Sequence, residues 1–100
     1  MEIKDKRNKE KLVVYITGRI DTTTSTMLLN HLQDAIIDIT DLTLDFQDVV
    51  YISSAGLRVL LYIQKAMDSK NGKMTIKHIK EIVMETFKIT GFTDILNIVK

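Results

Sequence analysis

Apolar and polar positions follow two different periods along the chain, and the places where one gives way to the other divide it into elements. Ile3-Lys4-Asp5-Lys6 predicts a short edge strand, and Asn8-Lys9-Glu10 supplies turn chemistry after it. Leu12-Val13-Val14-Tyr15-Ile16 is a β-branched and aromatic run that predicts a buried strand stopping at Gly18, so the first two elements form a hairpin. Asp21-Thr22-Thr23-Thr24-Ser25 is rich in oxygens able to accept from the unpaired N–H groups that open a helix. Behind it, Leu28, Leu32, Ala35, Ile36 and Ile39 recur at helical spacing, while Asn30, Gln33, Asp34 and Asp38 fill the opposite side. A one-faced surface helix is predicted there.

Leu42, Leu44 and Phe46 alternate with Thr43, Asp45 and Gln47, which is the period of a strand. Val49-Val50-Tyr51-Ile52 is read as prolonging that extended, buried run. At Ser53-Ser54-Ala55-Gly56 the period changes, and a helix is predicted from about Ala55 to Met67. Ser69-Lys70-Asn71-Gly72-Lys73 is a turn, with Asn-Gly suited to positive φ. Met74-Thr75-Ile76-Lys77 predicts another strand, and Ile79, Ile82, Val83 and Phe87 mark a third helix stopped near Thr90-Gly91. Phe92, Ile95, Leu96, Ile98 and Val99 form an apolar tail expected to dock on the core.

The order is β-β-α-β-α-β-α. Strands joined through helices imply an α/β fold with a mixed sheet of four to five strands packed against helices through right-handed crossovers. With 100 residues and neither repeats nor proline, residues 1–100 are expected to form a single domain. Hydrophobic residues at 45% and charged residues at 27% match a soluble globular protein. Lys plus Arg number 14 against 13 for Asp plus Glu, which is too balanced for a general nucleic-acid or membrane-surface binder. The basic stretch from Lys4 to Lys11 also holds Asp5 and Glu10 and reads as a solvated hairpin. The absence of cysteine excludes a disulfide framework and thiolate metal sites. Met1-Glu2-Ile3-Lys4-Asp5 lacks the apolar core of a signal peptide, and no apolar run approaches the ~20 residues of a membrane helix, so a cytoplasmic location is expected.

The most informative segment is Tyr51-Ile52-Ser53-Ser54-Ala55-Gly56-Leu57-Arg58-Val59-Leu60-Leu61, where a strand runs into a helix through two serines and a glycine. Helix capping accounts for at least one serine. It does not account for the second, nor for the small pair Ala55-Gly56. Small residues in the first turn leave N–H groups accessible, and the helix dipole favours an anion there, so a phosphate on Ser54 would sit in a favourable field. Capping and phosphorylation both stand on these residues alone.

This segment resembles the signature of STAS domains in bacterial anti-sigma factor antagonists. Three further segments are similar to the family's pattern, namely Gly18-Arg19-Ile20-Asp21, Leu44-Asp45-Phe46 and Thr90-Gly91-Phe92. The likeness runs in the right order over nearly the whole chain. It implies a STAS-like fold with Ser54 as phosphoacceptor and Asp21, Ser53, Ala55 and Gly56 as its neighbourhood. It also implies a regulator whose unphosphorylated form binds an anti-sigma factor that is its serine-protein kinase, frees a sigma factor, and is restored by a PP2C-type phosphatase. The alternative is a STAS interaction module of a transport or signalling assembly without a phosphorylation cycle. Ser53 stands where many members have Asp, and the sequence reaches Lys100 where many continue into another helix.

No enzyme is read here. Ile52 occupies the position where a nucleophile elbow needs glycine two residues before Ser54. His31 and His78 are the only histidines, each read as ordinary and partly exposed, and no carboxylate cluster accompanies them to hold a metal. No phosphate-loop or dinucleotide fingerprint occurs, so no cofactor or small-molecule substrate is expected, nor direct nucleic-acid contact or membrane insertion. The apolar positions of the second helix spread wider than one stripe. Deep burial explains that width, and so does a partner contact along an outer edge formed by Arg58, Val59 and Tyr62.

Overall fold

A computed structural model describes residues 1–99 of the chain. The strands are β1 (Glu2–Asn8), β2 (Lys11–Ile20), β3 (Asp41–Ile52), β4 (Lys73–Lys77) and β5 (Ile98–Val99), and the helices are α1 (Thr22–Ala35), α2 (Ser54–Ser69) and α3 (Glu81–Thr90). The sheet runs β1-β2-β3-β4-β5, with β1 antiparallel to β2 and every later neighbour parallel. Each helix thus joins two adjacent parallel strands and each crossover advances in the same direction. Right-handed crossovers then place all three helices on one face. β2 shows the result: Leu12, Val14, Ile16 and Ile20 are buried, whereas Lys11, Tyr15, Thr17 and Arg19 are exposed.

The core is built from the sheet's inner row, Leu28 and Leu32 of α1, Leu60, Ile63 and Met67 of α2, and Phe87 of α3, which meets Phe46 with ring centroids 6.2 Å apart. α1 ends sooner than its apolar spacing suggested. Ile36 is its C-cap, and the buried Ile36 and Ile39 belong to the link into β3. The β1–β2 turn places Lys9 at φ 58°, the Asn-Gly turn uses Asn71 at φ 57°, and Gly91 closes α3 in the left-handed region at φ 79°. A 3-10 turn (Phe92–Asp94) follows, and the apolar tail does more than dock: Ile98 and Val99 pair with Ile76 and Lys77 as β5.

β3 corrects the sequence reading most. Tyr15 pairs with Asp45 but Thr17 with Asp48, and Gly18 pairs with Val49 but Arg19 with Tyr51. β3 therefore carries two extra residues relative to β2, in two bulges. A bulge resets which side chains face inward. The buried apolar residues are accordingly Leu42, Leu44, Phe46, Val49 and Ile52, while Val50 and Tyr51 stand outside at 48% and 41% exposure. Asp45, which the alternation assigned to solvent, is buried at 5% exposure. One carboxylate oxygen accepts from the Gln47 N–H at 3.0 Å, and the other lies 3.0 Å from His78 Nδ1. A carboxylate so held satisfies backbone that the first bulge leaves unpaired.

Candidate functional site

The two helices α1 and α2 begin side by side, because the strands that feed them are parallel neighbours ending in register at Ile20 and Ile52. Ser53 is the N-cap of α2. Its Oγ accepts from the Gly56 N–H at 3.1 Å, and its own N–H donates to the Ile20 carbonyl at 2.8 Å. That bond fastens the start of α2 to the end of β2. Gly56 makes the close approach possible: a Cβ there would lie 2.7 Å from Ile20 Cγ2 and 2.7 Å from Ile52 Cγ1. With Ser53 committed to the cap, Ser54 becomes the first helical residue, one position earlier than the sequence suggested. Its side chain is exposed and makes no hydrogen bond among the described residues. Capping and accessibility, which competed as explanations for one motif, fall on different serines.

Asp21 is the N-cap of α1 and sits next to this junction through the Ser53–Ile20 bond. Its Oδ1 accepts from the N–H groups of Thr24 at 2.9 Å and Thr23 at 3.0 Å, and Thr24 Oγ1 in turn accepts from the Asp21 N–H at 2.8 Å. The Thr24 N–H is the chief reason that the Asp21 carboxyl is held below its ordinary value; burial opposes it, while the Thr24 hydroxyl, the Thr23 N–H and the Arg19 charge assist. Arg19 itself lies over the Tyr51 ring, 4.2 Å from its centroid, joining the outer ends of β2 and β3.

Ala55 is half-buried beside Gly56, and Leu57 and Leu60 continue α2 inward. Of the three residues offered as an outer edge, Val59 is buried at 6% exposure and belongs to the core, which corrects its assignment to a partner surface. The apolar stripe is broad at Val59 because that residue joins the buried face of α2, the helix that packs against α1, β3 and β4. Arg58 and Tyr62 are exposed, and with Leu61 and Lys65 they line a shallow cleft of about 230 Å³. Leu61 and Lys65 carried no signal beyond the helical period itself.

His31 and His78 are far from forming a shared centre. His31 lies 2.8 Å from Asp5, tying α1 to β1, and His78 holds Asp45. Among the described residues no group of three or more His, Cys, Asp or Glu side chains could hold a metal ion, and no helix is long and apolar enough to cross a membrane.

A one-sided sheet whose exposed, unpartnered serine opens a helix beside a second capped helix defines a small α/β domain with a surface site. The STAS domain family matches residues 2–100, and the chain belongs to that family. It is 30% identical to the anti-sigma-B factor antagonist of Bacillus subtilis over 93 residues, covering 93% of this chain and 85% of that protein. Among solved structures, an anti-sigma factor antagonist from Mycobacterium paratuberculosis superposes with a TM-score of 0.86 at 18% identity, over 97% of this chain and 83% of that one. The anti-sigma factor antagonist SpoIIAA of Bacillus is similar in its unphosphorylated form (TM-score 0.77, 13% identity, 99% of this chain and 88% of that one). It is similar also in its phosphorylated form (TM-score 0.76, 14% identity, 99% and 92%). At these identities the superpositions establish the fold.

Proposed function

We propose that the chain is an anti-sigma factor antagonist that works in the cytoplasm by switching partners. Its unphosphorylated form binds an anti-sigma factor that is also a serine-protein kinase, which releases a sigma factor. Phosphate transfer to Ser54 ends that complex, and a PP2C-type serine phosphatase restores it. The observation that carries this reading is the division of labour at the α2 start: Ser53 caps the helix, and the adjoining Ser54 hydroxyl is exposed and unengaged. The names of the related proteins support the same role.

The test is incubation with the kinase and ATP, followed by intact-mass measurement and peptide mapping. One phosphate is expected, on Ser54, abolished in Ser54→Ala and retained in Ser53→Ala. Label that survives Ser54→Ala but disappears in Ser53→Ala would overturn the assignment. Partner binding with no uptake of phosphate would favour a STAS interaction module without a covalent cycle.

A further inference from the structure

The site contains two arginines, and they stand in opposite states. Arg19 is committed: its guanidinium covers Tyr51, and its charge acts on Asp21. Arg58 is uncommitted. It is exposed and makes no ion pair or hydrogen bond among the described residues. Its own helix offers it nothing, since the residues three and four away are Ser54, Ala55, Leu61 and Tyr62, and the only carboxylate on α2 is Asp68.

Ser54 and Arg58 are one helical turn apart, so their Cβ atoms face the same side about 5–6 Å from each other. Helical side chains lean toward the N-terminus, which brings the long Arg58 stem back over Ser54. An anion N-terminal to a cation at this spacing is the favourable order. A guanidinium also offers a fork of donors that matches phosphate geometry. We propose that Arg58 is the internal counterion of a phosphate on Ser54, so that phosphorylation draws Arg58 out of the cleft it shares with Leu61, Tyr62 and Lys65. This rests on the phosphosite reading above and extends it: the modification adds charge at Ser54 and at the same time removes a cation from the neighbouring face of α2. Asp21, whose carboxylate lies at the adjoining helix start, is the acidic group that opposes the phosphate there, and Arg58 offsets it.

Phosphoserine inserted at position 54 during translation allows a test that needs no kinase. The second ionisation of the phosphate, near pH 6 for a free phosphoserine, is followed by ³¹P NMR. Replacing Arg58 by Gln should raise its midpoint by about 0.3 of a pH unit, a twofold change in the ionisation constant. Arg58→Lys should retain part of the effect. Lys65→Gln, which removes a cation from the same cleft about three turns from Ser54, should leave the midpoint in place. Equal midpoints for the parent and Arg58→Gln, or an equal rise in Lys65→Gln, would overturn the pairing. Partner affinity separates this from the switch itself. If phosphate weakens binding while Arg58→Gln moves nothing, the counterion fails and the switch stands; if the midpoint moves but binding ignores the phosphate, the reverse holds.

Discussion

Gly56 shows how a single missing carbon positions the site. Its Cβ would press on Ile20 and Ile52, both buried and branched, and on the Ile20 carbonyl at 3.3 Å. Neither isoleucine can move without disturbing the core beneath, so Gly56→Ala should destabilise the protein by about 1–3 kcal/mol, the usual range for overpacking. Urea denaturation would measure it, and an unchanged midpoint would mean that α2 can lift off the strand ends freely. Asp21 gives a second prediction, in pH. Its folded carboxyl ionises below its ordinary value, so its contribution to stability is complete above the unfolded value and fades as pH falls through the folded one. Asn caps helices about as well as Asp but does not titrate in this range. The melting temperature of the parent should therefore exceed that of Asp21→Asn at pH 7, and the difference should shrink below about pH 4. A difference independent of pH would remove the charge from the account of this cap.

At the scale of elements, β3 and its neighbours test how an irregular strand is held. Asp45 accepts the Gln47 N–H and meets His78, itself at φ 59° in the link from β4 to α3. Asp45→Ala removes the buried carboxylate that accepts the part-buried Gln47 N–H, a charge-assisted bond, and should cost about 1–3 kcal/mol in chemical denaturation. His78→Ala should cost less, because the half-exposed ring is replaceable by water. Equal losses would place the strain in the β4–α3 link instead. The same strand explains what the sequence disclosed and what it hid. Alternation located Leu42, Leu44 and Phe46 correctly because the inner face of that stretch is regular. It failed at Val50 and Tyr51 because a bulge is a property of two strands in register, and neither strand alone states it. Asp45 was invisible for a related reason: a carboxylate in an alternating run looks solvated until its partners, 2 and 33 residues away, are in place. β5 was legible only as an apolar tail, since two residues are too few to show a period.

At the scale of the whole molecule, the Ser54 junction was legible because it combines period change, capping residues and small residues within four positions, and the structure adds that Ser53 takes the cap and leaves the Ser54 side chain exposed. That arrangement decides what a phosphate would do. Ser54 lies outside the core, so a phosphoserine with a charge of about −1.5 to −2 displaces no buried side chain. At a helix N-terminus the charge is favourable by about 0.3–1 kcal/mol, which leaves the fold slightly more stable. At a partner surface shaped for a hydroxyl the same group must shed water, and a buried charge left poorly paired costs several kcal/mol. The second effect is larger and opposite in sign, so the modification should control association while folding stays intact. Ser54→Asp carries one charge on a shorter side chain and should reproduce only part of this. Melting temperatures of the parent, Ser54→Ala, Ser54→Asp and the phosphorylated protein are expected to agree within a few degrees. Affinity for the anti-sigma factor should be retained in Ser54→Ala, weakened in Ser54→Asp and lowest in the phosphorylated protein. Equal affinity in all four, or a collapsed transition in Ser54→Asp, would show that control of binding does not run through the exposed serine at the start of α2.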